Sequence, residues 1–400
     1  MFLLPSRTSS PDADGDGNVG LPSSPAEEEE EDLLLGPIAR DLAKELSIPL
    51  IIPECPAEEG GGASSAFGHR LRIVPYARGS MRTYAVAIQP SPPIEAASRR
   101  RQKRRRKKDD DPAMRPFYVE FVPPPGSRVG KVMGGGGGGG GTELLLRAVA
   151  PQRRQGQGKH SETGMIVWDL TAGFGRDAAL VAAGGAEAVV MIERDPVVAA
   201  LLRDGLRRLC LVADSGLGDD CDDETVGRAA YLSERLSLEE GDGSDAARRL
   251  LSEGAEDRNE NDNDKSRERR RRGIGRRPDV CYLDPMFPPR TKSAAVKKDM
   301  QILHSLLGSN PAEEMDVGND GDEMMNGTLI RASDERELLR SALDVAGSRV
   351  VVKRPIKAPL LGEGGVGFDL DTVKILHSVW VNRWDLYFYF LQGGLITPPS

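Results

Sequence analysis

The chain has 400 residues, and its 62 acidic and 54 basic side chains leave a formal net charge of −8. With 46 glycines, 28 prolines and only 5% aromatic residues it is too rich in breakers to pack into one core along its whole length, so long loop or disordered stretches are expected. No apolar run approaches the ~20 residues that span a bilayer, the four histidines are scattered, and the four cysteines (Cys55, Cys210, Cys221, Cys281) fit neither a metal site nor a disulfide framework, which implies a reducing compartment and no bound metal.

Residues 1–32 are rich in Ser, Pro, Gly and Asp and end in the acidic run Glu27–Asp32, as expected of a disordered acidic leader. They lack the apolar core of a secretory signal, and their acids do not suit an organellar transit peptide. A small β-rich N-terminal domain is expected over 33–133. Its predicted elements are a helix over Ile38–Leu46, an extended piece at Pro49–Ile52, and strands at Leu71–Pro75, Thr83–Ile88 and Phe117–Val122. A basic insert, 98–112, interrupts it with Arg99–Lys108 followed by Asp109–Asp111. This run reads as an RNA-phosphate or nuclear-localisation patch, or as a solvated low-complexity insert. Gly134–Gly141 lack the lysine and hydroxyl that close a phosphate-binding loop, so 134–141 is expected to be a flexible linker.

From 142 to 392 strands and helices alternate. Thr142–Ala150 is a predicted helix, and strands follow at 165–169, 187–193, 236–240, 279–283 and 349–354. Helices are expected at 176–184, 195–209, 244–251, 292–307 and 334–345, with a polar loop or helix over 211–230. Polar inserts fall near 253–277 and 309–330, and two final strands near 372–379 and 385–391. Strands separated by helices imply a parallel sheet covered on both faces. The expected architecture is thus an α/β, Rossmann-like sheet of seven strands, mostly parallel, with Trp384–Phe390 in an antiparallel C-terminal edge.

The chemistry-bearing words stand at the strand ends. Met165–Asp169 runs into Gly173 and Gly175 and then an apolar-periodic helix, the start of a nucleotide-binding βαβ unit. Taken alone, Gly173-x-Gly175-x-x-Ala178 also fits a dinucleotide dehydrogenase. Val189–Glu193 ends in an acid where a ribose-binding carboxylate is expected, and Val280–Leu283 ends in Asp284-Pro285-Met286-Phe287, which suits an amino-group methyltransferase. In that reading Asp169, Gly173 and Gly175 would lie along the methionine part of S-adenosylmethionine. Arg176 and Asp177 would reach its amino-acid end, Glu193 its ribose hydroxyls, and Asp242-Gly243 its adenine. Asp177 and Asp242 are also placed to be plain helix N-caps. The Asp284 carboxylate and Pro285 carbonyl would take the two hydrogens of a base amine, and Phe287 would stack on the base. Lys292, Lys297, Lys298, Lys353 and Arg354 fall at the same carboxyl edge and are the candidate RNA contacts; a solvated helix face is the other reading of Lys297-Lys298.

At these residues the sequence resembles the bacterial small-subunit rRNA guanine-N2 methyltransferases. The shared words are Asp169–Asp177, Glu193–Leu202, Asp204–Leu206, Tyr282–Pro288, Lys292–Lys298 and Val350–Pro355. The resemblance implies N2 methylation of a guanine near the 3′ end of small-subunit rRNA, with cofactor contacts at Arg176, Asp177, Glu193, Arg194, Asp242, Gly243 and Asp284. The expected partner is rRNA or the small ribosomal subunit, met by a monomer away from membranes, and the resemblance implies the cytoplasm. The acidic leader, the Arg/Lys run and the inserts depart from the compact bacterial pattern and look like eukaryotic elaborations, for which a plastid or mitochondrion is the alternative compartment. Another amino-methyltransferase, or a non-catalytic RNA-binding assembly factor on the same fold, is the competing function.

Overall fold

Runs such as Ile166-Val-Trp-Asp169 and Ala188-Val-Val-Met-Ile-Glu193 are apolar at every position before the closing acid because both faces of the strands they form are buried. The computed structural model describes residues 2–3, 37–47, 50–51, 69–78, 81–90, 115–124, 126–136, 140–149, 164–215, 223–253, 273–285, 302–303, 334–355, 374–380 and 386–392. They fall into two units, Met1–Val119 with Ala294–Gly308, and Glu120–Ser293 with Ser309–Ser400.

In the first unit β1 (Phe2–Leu3) pairs in parallel with β2 (Leu50–Ile51) and with β3 (His69–Arg78), and β3 pairs antiparallel with β4 (Met81–Pro90). The hairpin is longer than its sequence pattern suggested, running in register from His69↔Pro90 to Arg78↔Met81. Helix α1 (37–45) buries Ala39 and Ala43, one turn apart. The strand expected over Phe117–Val122 is reduced to one bridge, in which Phe117 and Ile88 exchange both backbone bonds. Past that bridge the Glu120 carboxylate accepts the Val122 N–H at 2.9 Å.

The second unit opens with an unexpected helix, α2 (Arg128–Met133), whose N-cap Ser127 accepts the Gly130 N–H. Helix α3 (Gly140–Val149) begins inside the glycine run, so Gly140 and Gly141 are helical rather than linker. Then come β5 (Ile166–Asp169), α4 (Arg176–Ala183), β6 (Ala188–Glu193), α5 (Pro196–Asp214), α6 (Asp223–Ser233), β7 (Leu236–Glu240), α7 (Gly243–Glu253) and β8 (Val280–Leu283). Helix α8 (334–345) leads to β9 (Arg349–Pro355), β10 (Lys374–Trp380) and β11 (Leu386–Gln392). The helix expected over 292–307 lies almost wholly outside the described residues.

The strand order is β10-β11-β9-β8-β5-β6-β7. Five strands, β7, β6, β5, β8 and β9, run parallel, and β11 is antiparallel to both β9 and β10. The final hairpin thus forms the C-terminal border of the sheet as expected, with β10 outermost and β11 the antiparallel strand between β10 and β9. One face of the sheet (Trp168, Val190, Ile192, Cys281, Leu283, Val350, Val352) packs on Ala246 and Ala247 of α7 and on Leu339, Ala342 and Val345 of α8. The alternate residues, among them Val167, Met191, Tyr282 and Val351, are equally buried, with α4 and α5 packed against β6.

Candidate active site

Parallel strands bring their carboxyl ends to one edge, and here each end carries an acid or a base. Asp169 ends β5, Glu193 ends β6, Asp242 follows β7, Asp284 follows β8 and Lys353 lies in the last part of β9. The turn after β5 needs glycine: Gly173 has φ 52° and Gly175 has φ 68°, in the left-handed region. A Cβ on Gly175 would also come within 2.8 Å of Met191 Sδ and Phe121 Cζ. Gly175 caps α4 without a side chain, so no side-chain oxygen occupies the helix's first N–H groups.

Glu193 is buried. One carboxylate oxygen accepts the Gly173 N–H at 2.8 Å and the other the Asp195 N–H at 2.8 Å. Burial pushes its carboxyl above the ordinary range, partly offset by those two bonds. Asp242 accepts the Ser244 N–H at 2.8 Å and so caps α7, the alternative reading of that residue. Gly243 lies where a Cβ would come within 3.0 Å of the Leu170 carbonyl oxygen and 2.8 Å of Leu338, so α7 approaches the β5 loop closely only because this position is bare. Arg176 and Arg194 are exposed at the edge.

Asp177 is not a helix cap. Its Oδ2 accepts the Tyr282 hydroxyl at 2.6 Å and the Lys353 ammonium at 2.6 Å. The same ammonium donates to Asp284 Oδ2 at 2.6 Å. The Asp284 N–H in turn donates to Thr171 Oγ1 at 2.7 Å, which clamps the Asp284-Pro285 turn onto the glycine loop. Burial alone would raise the Asp177 carboxyl, but the Lys353 charge and hydrogen bond, with help from Tyr282 and Arg128, bring it below its ordinary value. Burial would lower the Lys353 ammonium, and the charges of Asp284 and Asp177 outweigh it, so its pKa is raised. Asp169, only 2% exposed, is raised well above the carboxylate range by burial and then by the charge of Asp177.

Lys353 thus departs from the expectation that it faces RNA: its ammonium is engaged by two carboxylates inside the site. Arg354 pairs its backbone with Tyr387. Phe287, Lys292, Lys297 and Lys298 lie outside the described residues. Tyr282 and Thr171 were not anticipated, although Tyr282 shares a strand face with Asp284 two residues on.

These groups fit S-adenosylmethionine: an oriented carboxylate for a pair of hydroxyls, uncapped helix N–H groups for a carboxylate, and acids for a cation. A family model described as "Putative SAM-dependent methyltransferase" matches residues 100–222 and 259–317. The ribosomal RNA small subunit methyltransferase J of Tolumonas auensis is 35% identical over 250 residues, 60% of this chain and 74% of that one. The chain belongs to the methyltransferase J family. The relative from Aeromonas hydrophila is 34% identical over 257 residues, covering 62% of this chain and 77% of its own. A solved SAM-dependent methyltransferase from Neisseria gonorrhoeae aligns with 22% identity and a TM-score of 0.41 over 88% of this chain and 89% of that one. This methyltransferase J family member is an S-adenosylmethionine-dependent methyltransferase by family. Among its described residues no helix is long and apolar enough to cross a membrane.

Proposed function

We propose that this enzyme methylates the exocyclic N2 of a guanine in small-subunit rRNA, and that Asp169, Gly173, Gly175, Arg176, Asp177, Glu193, Arg194, Asp242 and Gly243 hold the cofactor. The observation that carries the reading is the Asp284-Pro285 turn, fixed at the carboxyl edge by Thr171 and Lys353 beside the glycine loop. S-adenosylmethionine, when bound, supplies a methyl already activated on a sulfonium, so the protein's part is positioning and electrostatics.

An exocyclic amine is a poor nucleophile because its lone pair is delocalised into the ring. The Asp284 carboxylate and the Pro285 carbonyl accept its two hydrogens and turn the lone pair out of conjugation. Asp284 then takes the proton that the new bond makes acidic. Phe287 stacks on the splayed base, and Arg354, Lys292, Lys297 and Lys298 contact phosphates, positioning the RNA without reading its sequence. The substrate is rRNA or the small subunit, met by a monomer in the cytoplasm or, in a eukaryotic cell, in a plastid or mitochondrion.

The test incubates purified protein with labelled S-adenosylmethionine and small subunits lacking the modification, followed by nucleoside analysis. Label in N2-methylguanosine is expected. Label in another nucleoside, or cofactor binding with no transfer to any small subunit, overturns the assignment.

A further inference from the structure

Among the described residues, Lys353 touches both halves of the candidate site. It stands on β9, paired with Phe388 of β11 and one residue past Val352, the last residue of β9 that pairs with β8. Its side chain is 20% exposed, and its ammonium lies 2.6 Å from Asp177 on the cofactor helix and 2.6 Å from Asp284 on the acceptor turn. The charged or titratable groups around it are Asp177 from α4, Tyr282 and Asp284 from β8 and its turn, and Asp169 from β5, while Arg128 of α2 acts on Asp177 from farther off. Without Lys353, three carboxylates would face one another across the cleft.

We propose that Lys353 is a positioning residue, not an RNA contact: it fixes the Asp284 carboxylate for the acceptor amine by anchoring it, through Asp177, to the helix that holds the cofactor. The inference rests on the reading of Asp284 as the group that binds and deprotonates the amine. An opposite charge this close favours the ionised carboxylate. The two roles therefore separate in experiment. A phosphate-contacting lysine sets RNA affinity and its salt slope, whereas a lysine acting through Asp284 sets turnover and its pH dependence.

The experiment compares Lys353→Met and Lys353→Arg with wild type at saturating cofactor. It measures RNA affinity across a salt series without turnover, and total methyl transfer to RNA across pH. Methyl is counted irrespective of the nucleoside that carries it, so a wrong target and a wrong role for Lys353 give different results. Lys353→Met is expected to keep RNA affinity and salt slope, to lower kcat at neutral pH about tenfold, and to move the acid limb of the rate profile up by about one pH unit. Lys353→Arg is expected to restore the limb. A flatter salt slope with an unmoved limb overturns the proposal in favour of a phosphate contact.

Should Lys353→Met fold poorly, the charge-balanced double variant Asp177→Asn/Lys353→Met carries the same test. Its limb should lie above that of Asp177→Asn alone by about as much as the single variant's lies above wild type's, while Asp177→Asn alone should leave the limb at or below the wild-type position. A limb that moves as far with Asp177→Asn alone also overturns the proposal.

Discussion

Asp169 shows what the site costs the fold. Its carboxyl is buried at the end of β5 with a local donor, the Thr171 N–H at 3.2 Å, and with Asp177 and Asp284 as charged neighbours. The folded state therefore binds its proton more tightly than the unfolded chain does, and Asp169 makes the protein less stable as pH rises from the unfolded carboxylate range through the raised folded value. Asp169→Asn keeps an acceptor for Thr171 and removes the charge. We expect its Tm to match wild type in acid, where both side chains are neutral, and to exceed it at neutral pH; thermal unfolding across pH checks this. Asp284→Ala is expected to reduce single-turnover methyl transfer by roughly 10²-fold or more. Its Tm should change little, because the bond that clamps the turn comes from the Asp284 backbone N–H and survives the substitution. Near-wild-type transfer in that variant would remove Asp284 from the chemistry.

Among the elements, the βα turn after β5 tolerates least. Gly175→Ala places a Cβ at positive φ and against Met191 and Phe121, and a loss of about 1–3 kcal/mol in urea unfolding is expected. Four of the five parallel strands were readable because each holds a short apolar run followed by an acid or a base, a pattern that burial on both faces imposes; β7, Leu236-Ser-Leu-Glu-Glu240 at the edge, is only partly buried. The glycine turn was readable from backbone stereochemistry alone. Lys353 was not, since its partners lie 176 and 69 residues away and nothing local to Val350-Val-Val-Lys353 distinguishes a cation aimed into a cleft from one aimed at phosphate. The same holds for Phe117, where apolar alternation forecast a strand and the Glu120 carboxylate took a backbone donor instead. Helix α5 outran its expected end at 209 because Val212 is buried and the chain stays helical to Asp214.

For the whole molecule, the charge pattern matters more than its sum. Arg99–Lys108 is balanced elsewhere by acids, so a net charge of −8 conceals a strongly cationic segment. Deleting 99–108 is expected to weaken RNA affinity modestly and to flatten its dependence on salt, the log–log slope falling by about 0.7 to 0.9 for every phosphate the run had neutralised. Unchanged affinity across the salt series would assign the run to targeting or to no role in binding. The strand order has a consequence for how the chain is made. β11 is the last described strand, yet it lies inside the sheet and is the partner that joins β10 to the rest. While the nascent chain is shorter than residue 386, β9 presents an unpaired edge and β10 has nothing to dock on. The Rossmann-like half with its glycine turn can form early in translation, but the sheet is sealed only by its final strand. A stall just before Leu386 would therefore leave on the ribosome an intermediate with a sticky border, the state in which a chaperone has most to protect.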